Sequence, residues 1–451
     1  MVHEDETIFY GSAQVFAGSL SLHAESCNFE DVSKVGMFNW YGPGYNATYG
    51  SLQLLFGHYW SLFIRFHFAL ALGVILMILL MPGRWEEKLL VASSLLISET
   101  FTNYIFSYYP ELLHTFFSAV LIMLLVQIYR KTEKRSLIVL YVALVLLFTL
   151  FRVTTIFWLA ALLPMGENWR SRIPFIATFL FGVGAAIIYM KFFLAPPFAP
   201  QMVKLEDLYS GHLGSFIIKS FLSTWDNAKQ IYAFNSVPVN FLLVLMAILL
   251  VNYFKSREKL QLSVLLIALC LFGVLMAYYT VHPFFFVKQT AMLLPCLLVA
   301  AMRGPYLWMK WLVFFGFIYF WVPVNKGRKV IINEHKQAYQ KLVENMPLRD
   351  AFQQIRDVVA SDKDAFILWC YHEYEFGGTT QALLPYSTTG GRPIMYTTNF
   401  AYDPKTPLEE KFRFHHKLPI NYLLSRQMVP WNNLEEVLRT PYFYFYRVKI
   451  E

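Results

Sequence analysis

Charged residues are scarce in this chain of 451 residues: they make up 15% of it, while 57% is hydrophobic and 18% is aromatic. A soluble globular chain carries about 25% charged residues. Burying such an apolar excess in water would need a larger core than this length supplies, so the composition predicts an integral membrane protein. The formal net charge of +8 does not indicate a nucleic-acid partner, because the basic residues do not cluster on one candidate face.

Cysteines and the common catalytic motifs are also rare. Cys270 and Cys296 lie inside apolar runs and are interpreted as small core residues, whereas the positions of Cys27 and Cys370 leave a disulfide open. The chain has no CxxC, no Cys/His pattern with metal-site spacing, no Walker P-loop, no HExxH and no GxSxG. The acidic start, without an apolar h-region, is not that of a cleavable signal peptide.

Long apolar runs are abundant instead. A membrane-spanning helix needs about 20 mostly apolar residues. Runs of suitable length lie at 66–82, 89–107, 111–129, 136–151, 173–193, 237–254, 260–280, 286–302 and 306–323. A shorter run, 153–165, contains Pro164 and is predicted to be a broken or re-entrant element beside 136–151. The sequence therefore predicts a polytopic α-helical membrane protein with about ten spans.

The loops between these runs predict the orientation. Every second connection is basic, with Arg84 and Lys88, then Arg130 to Arg135, then Arg170 and Arg172, then Lys255 to Lys259, then Arg303. The short connections between them, around SYYPE and TVHPFF, contain no lysine or arginine. By the positive-inside rule the basic connections are cytoplasmic. We therefore expect a protein of the inner or plasma membrane, or of the endoplasmic reticulum in a eukaryote, with its site on the extracytoplasmic or lumenal side.

Three regions follow from this orientation. Residues 1–55 form the first extracytoplasmic loop, and we expect a further helix to have preceded it, because nothing in the chain brings this loop outside. Residues 56–323 form the transmembrane domain, whose external loop 194–236 is predicted to lay an amphipathic helix along the membrane surface. Residues 324–451 are predicted to form a small extracytoplasmic α/β domain. In this domain DAFILWCY and YFYFYRVKI are predicted strands, while HKQAYQKLVENM, LRDAFQQIRDVVA and WNNLEEVLRT are predicted helices.

Acidic residues with a candidate function lie at two places in the predicted outer half. Asp5 and Glu6 precede Tyr10 and are either helix caps or, for Asp5, a general base for an acceptor hydroxyl. Glu111 opens a predicted span, where it either stabilises the helix start or faces a cavity. His114 lies three positions on, so both side chains can share one helix face.

Basic residues at a comparable depth are the candidates for binding a phosphate. Lys288 lies at the outer end of an apolar run, where it either snorkels to the headgroups or binds an anion. Arg65 and Arg152 lie at similar predicted depth. Cations, acids and many aromatic residues at one membrane face suit a lipid-linked sugar phosphate.

Four stretches together resemble the GT-C superfamily of polyprenyl-phosphate-sugar-dependent glycosyltransferases, of the protein O-mannosyltransferase and aminoarabinose-transferase type. They are HEDETIFYGSA, YGPGYNATYGSLQLLFGHYWSLFIRF, YYPELLHTFF and FFFVKQTAMLLPCLL, in the order and on the predicted side that the family shows. The last carries a lysine where the family usually has arginine, which weakens bidentate phosphate recognition.

The resemblance implies an inverting transfer of a sugar from a polyprenyl-phosphate donor to an extracytoplasmic hydroxyl of a lipid, glycan or protein. It implies Asp5, Glu6 and Glu111 as catalytic residues, with Asp5 as the base, and Lys288, Arg65 and Arg152 as donor-phosphate ligands. Tyr10, Tyr109 and His114 are the expected substrate contacts. Asp5 and Glu111 are candidates for a divalent metal, whose presence stays open, and no organic cofactor is expected.

Two other functions remain open from the sequence. A transporter or flippase for a lipid-linked sugar would often show two related halves with broken helices in matching positions, and the chain shows one broken element without such duplication. A non-catalytic membrane scaffold that presents the C-terminal domain is the third interpretation.

Overall fold

The computed structural model describes residues 12–13, 16–22, 38, 42–57, 60–107, 109–130, 134–194, 206–234, 237–278, 291–319, 346–360, 366–371, 394–398, 422–425, 428, 432 and 434–449. Two compact units are present: residues 1–63, 190–198 and 328–451 belong to the first, and residues 64–189 and 199–327 to the second.

Helices dominate the chain up to residue 319. They are α1 Pro43–Phe56, α2 Trp60–Leu80, α3 Trp85–Ile97, α4 Glu99–Ile105, α5 Glu111–Arg130, α6 Arg135–Thr149, α7 Trp169–Phe193, α8 Glu206–Tyr209, α9 Leu213–Phe234, α10 Val237–Ser256, α11 Lys259–Tyr278, α12 Leu294–Met302 and α13 Leu307–Tyr319. A 3-10 helix, Val153–Leu162, separates α6 from α7, and a 3-10 turn, Ala291–Leu293, leads into α12.

Among the described residues, five helices are long and apolar enough to cross a membrane: α2, α5, α7, α10 and α11. Most of α7 is exposed and apolar, as a lipid-facing surface would be, whereas most of α5 is buried inside the bundle. The predicted polytopic α-helical membrane fold is confirmed, and the chain is an integral membrane protein.

The single span expected at 89–107 is wrong. Ser98 has extended backbone angles and divides this run into α3 and α4. The carbonyl oxygen of Ser98 accepts hydrogen bonds from the backbone N–H and the hydroxyl of Thr102 in the new helix. Helix α4 then begins at Glu99.

Three connections predicted to share one membrane side meet in the structure. Arg303, after α12, donates a hydrogen bond to the carbonyl oxygen of Pro82, after α2. Lys310 of α13 bonds to Glu87 of α3, with 2.7 Å between Nζ and Oε1. Burial lowers the pKa of Arg303, while Glu87 and Glu258 beside it favour the charged guanidinium. We call the end of the helical bundle at which these contacts lie the basic end.

The C-terminal residues form the predicted α/β domain, with helix α14 Met346–Ala360 and strands β1 Phe366–Tyr371, β2 Ile394–Thr398, β3 Tyr422–Ser425, β4 Leu434–Arg439 and β5 Tyr444–Val448. The sheet order is β2-β1-β3-β5-β4. β1 pairs in parallel with β2 and β3, and β5 pairs antiparallel with β3 and β4. Phe352 of α14 is fully buried and packs on Phe443, with 5.1 Å between the ring centroids.

Three of the expected elements in this domain are confirmed and one is wrong. The helix in LRDAFQQIRDVVA and the strands in DAFILWCY and YFYFYRVKI are present. The segment WNNLEEVLRT contains strand β4 instead of a helix. A bulge between Glu436 and Leu438 lets Val437 and Leu438 both pack toward the core. The predicted helix in HKQAYQKLVENM lies outside the described residues, apart from Met346.

Candidate functional site

A polar stripe on α5 forms the centre of the candidate site. Glu111, His114, Thr115 and Ser118 recur at helical spacing and are all at least 97% buried. The next residues toward the basic end, such as Leu121 and Leu125, are apolar. Polar side chains inside a membrane helix usually face the bundle interior or a water-filled cavity. The stripe therefore places a polar environment at the end of α5 that lies away from the basic end.

Local sequence explains how Glu111 comes to stand there. Pro110 precedes α5, and its carbonyl oxygen accepts the backbone hydrogen bond of His114. An acid in the first turn interacts favourably with the helix dipole. The hydroxyl of Thr115 donates to the Glu111 carbonyl oxygen at 2.8 Å, so the first turn is held from within the helix.

Arg152 is the cation that meets this stripe. Its Nη1 lies 3.9 Å from Glu111 Oε1, and the two side chains are 5% and 0% exposed. The charge of Arg152 also acts on the His114 ring. Breaking a buried ion pair leaves an uncompensated charge and typically costs about 3–5 kcal/mol. The ion pair is therefore expected to contribute to the stability of the folded chain.

Arg152 stands at a sharp change of direction. It follows the end of α6, and its backbone angles, φ −157 and ψ 115, are extended. Its N–H bonds to Phe148 in α6, and its carbonyl oxygen accepts from Thr155 in the 3-10 helix. Phe148 stacks on Phe117 of α5 with 3.8 Å between the ring centroids, which ties the end of α6 to the polar stripe.

Tyr109 and an unpredicted histidine lie near the start of α5. Tyr109 is buried and packs edge-on against Tyr104, with ring centroids 6.1 Å apart. His67 on α2 is fully buried, and its Nδ1 lies 3.0 Å from the carbonyl oxygen of Tyr104. The sequence signal that could have identified His67 is its position in an apolar run, where a polar side chain usually faces the protein interior.

Of the remaining predicted residues the structure describes Arg65 alone, and it lies apart from the buried stripe. Arg65 is exposed on α2, because residues two apart on a helix point to nearly opposite sides and His67 takes the buried side. Asp5, Glu6, Tyr10 and Lys288 lie outside the described residues.

A divalent metal does not fit the described part of this site. Glu111 offers a carboxylate and His114 an imidazole, but the cationic Arg152 opposes a second positive charge beside them. Within the ranges that the structure covers, no group of three or more His, Cys, Asp or Glu side chains could hold a metal ion.

Comparison with known proteins gives a distant likeness in structure and none in sequence. No protein-family model and no curated protein matches the chain. Among solved structures, the chain is similar to ArnT from Cupriavidus metallidurans in the apo state, with a TM-score of 0.45 and 11% sequence identity, over 98% of this chain and 93% of that chain. A likeness this distant assigns no function.

Proposed function

We propose that this chain is an integral membrane glycosyltransferase that moves a sugar from a polyprenyl-phosphate donor to an extracytoplasmic acceptor hydroxyl, with inversion. The observation that carries the proposal is the buried ion pair between Glu111 and Arg152 at the end of α5 opposite the basic end. A permanently charged guanidinium at membrane depth suits a phosphodiester whose lipid tail lies in the bilayer.

The orientation of the site supports this proposal. The basic connections at Pro82 and Arg303 meet at one end of the helical unit. Glu111 begins α5 at the other end, since α5 ends at Arg130, whose charge acts on Arg303. If the basic end is cytoplasmic, the Glu111 site faces the extracytoplasmic side, where lipid-linked sugar donors carry their sugars to acceptors.

In the proposed reaction Asp5 accepts the proton of the acceptor hydroxyl as that oxygen attacks the anomeric carbon of the donor. The bond between this carbon and the phosphate oxygen breaks, and polyprenyl phosphate leaves. Arg152 and Lys288 bind the phosphate, while Glu111 and Glu6 are the further acidic residues of the catalytic site. His114, Tyr109 and Tyr10 contact the substrates. A positioned base of this kind contributes about 10²–10⁴-fold to a rate.

The test is an incubation of the purified protein, reconstituted in vesicles, with a polyprenyl-phosphate sugar radiolabelled in the sugar. Release of polyprenyl phosphate supports the transferase if the labelled sugar is found on a hydroxyl acceptor, or as free sugar after transfer to water. Movement of intact donor between leaflets without cleavage would identify a flippase instead. If neither cleavage nor movement is observed, the result favours the non-catalytic scaffold.

Two variants refine the assignment. Asp5→Asn should abolish transfer while membrane insertion persists, and full activity in that variant contradicts the assignment of the base. Lys288→Ala should weaken donor binding, so an unchanged donor affinity removes Lys288 from the phosphate site.

A further inference from the structure

The segment that follows Arg152 has an unusual conformation. Val153–Leu162 is a ten-residue 3-10 helix, whereas 3-10 helices longer than three or four residues are uncommon and often mark a functional or strained position. Most of its residues are buried between other helices, among them Trp158, Leu159 and Ala161. Hydrogen bonds from neighbouring helices can stabilise a long 3-10 helix in this environment.

Hydroxyl groups from three neighbouring helices supply them. Pro164 has no N–H, so the carbonyl oxygen of Ala161 has no donor at the usual 3-10 spacing. The hydroxyls of Tyr129 in α5 and Ser263 in α11 reach this oxygen at 3.1 and 2.7 Å, and 2.5 Å separates the two hydroxyl oxygens.

The third hydroxyl acts one turn earlier on the segment. Tyr141 of α6 donates to the carbonyl oxygen of Trp158 at 2.8 Å. This tyrosine is completely buried, so the hydrogen bond is made away from water, where an unpaired hydroxyl is costly. The hydroxyls of Tyr129, Tyr141 and Ser263 are called the hydroxyl brace below.

The length of the 3-10 segment affects how closely Arg152 approaches Glu111. From Glu111 to Tyr129, α5 rises about 27 Å at 1.5 Å per residue. Arg152 meets the first of these residues and Ala161 the second, yet the segment between them rises only about 18 Å as a 3-10 helix. As an α-helix it would rise about 14 Å. The side chains of Arg152 and Tyr129 cover the remainder, and the more extended helix brings Arg152 nearer to Glu111.

We propose that the hydroxyl brace positions Arg152 by holding the far end of this segment in the 3-10 form, which rests on the proposed function of Arg152 as a phosphate ligand. Relaxation to an α-helix would shorten the segment by about 4 Å and rotate Arg152 by about 180° relative to Ala161. Either change separates the guanidinium from Glu111. Tyr129, Tyr141 and Ser263 are therefore positioning residues for the reaction, at a distance from the reacting atoms.

The experiment compares Tyr141→Phe and the double variant Tyr129→Phe/Ser263→Ala with wild type. The double variant is needed because either hydroxyl can donate to the Ala161 carbonyl oxygen. Tyr232→Phe is the matched control, since this tyrosine is 90% exposed on α9. Hydrogen exchange of the amides in 153–165, followed by mass spectrometry, should be about fivefold faster in both brace variants, in proportion to one net hydrogen bond, and unchanged in the control.

Transfer kinetics then test the connection to Arg152. Each brace variant should lower kcat/KM about fivefold or more, and the same brace substitution made in an Arg152→Lys background should cost less than about twofold, because the geometry it protects has already been lost. An equal loss in both backgrounds, or unchanged amide exchange, overturns the proposal. Absence of transfer in the wild type would defeat the proposed function, whereas the exchange measurement would still decide whether the brace holds the segment.

Discussion

Glu87 and Lys310 join the first turn of α3 to α13 through an ion pair with 2.7 Å between Oε1 and Nζ, and their side chains are only 15% and 8% exposed. Lys310→Met should leave the Glu87 charge without its partner and lower the free energy of unfolding in detergent micelles by about 3 kcal/mol. Adding Glu87→Gln to that variant should recover a large part of the loss, because the uncompensated charge is removed.

The exposed pair of Lys219 and Asp207 is the control for this prediction. The Lys219 side chain is 52% exposed, although its hydrogen bond lowers the pKa of Asp207 below the ordinary value. Lys219→Met should cost no more than about 1 kcal/mol, as is usual for surface pairs. An equal loss in both lysine variants would show that the basic end does not hold the helices together.

Variants of Arg152 should distinguish the effect of its charge on the transfer reaction from the effect of its planar geometry. Arg152→Met removes the cation and should raise KM for the donor about 10- to 100-fold, the usual worth of a charged hydrogen bond. Arg152→Lys keeps the charge without the planar fork and should fall between wild type and Arg152→Met. Steady-state kinetics with varied donor measure both; a KM unchanged by Arg152→Met would restrict Arg152 to a structural function.

Much of the membrane domain could be predicted from the sequence because its helices are long and uniformly apolar. The bounds of α5, α6 and α10 differ from the expected runs by only a few residues. The break at Ser98 was missed because hydropathy averaged over a run does not register a single residue with extended backbone. In WNNLEEVLRT the apolar residues follow a helical spacing, and the pairing of β4 with β5 overrides this local preference.

The candidate site, too, could be predicted from the sequence only in part. The spacing of Glu111 and His114 predicts a shared helix face, and the structure places both in the buried stripe. Arg152 meets Glu111 only because the chain turns sharply after α6, a tertiary feature that local patterns do not carry. Pro164 indicated a broken element, but the hydroxyls that complete its hydrogen bonds come from residues as distant in sequence as Ser263.

Two glycines on α7 provide a matched pair for the packing of the 3-10 segment. A Cβ at Gly182 would overlap Leu159 Cδ1 and lie 3.1 Å from Ile156 Cδ1, whereas a Cβ at Gly184 would meet nothing within 4 Å. Gly182→Ala should cost about 1–3 kcal/mol of unfolding free energy through overpacking and reduce transfer. Gly184→Ala should be neutral or slightly stabilising, since alanine favours helix over glycine by up to about 1 kcal/mol. Thermal unfolding followed by activity measurements distinguishes them, and equal behaviour would mean that α7 does not restrain the segment.

Helix α9 should lie on the membrane surface with one face in lipid. Asn227 on its buried face donates to the carbonyl oxygen of Met276 near the end of α11, at 2.7 Å, which sets the helix at the level where a span ends. Its opposite face exposes large apolar side chains at helical spacing, namely Ile218, Phe221, Leu222, Trp225 and Tyr232. Such a stripe with a charged flank is typical of an interfacial helix.

Spin labels at two similarly exposed positions of α9 test this placement. Phe221 is 71% exposed within the apolar stripe, and Asp226 is 66% exposed on the charged flank. In vesicles made with a variant whose four cysteines are replaced by alanine, a label at Phe221→Cys should be reached by oxygen dissolved in lipid, and a label at Asp226→Cys by a water-soluble nickel complex. If the nickel complex reaches both labels equally, the stripe lies in water and the prediction that it contacts lipid is wrong. If neither reagent reaches Phe221→Cys, another protein surface covers the stripe, because lipid would admit oxygen.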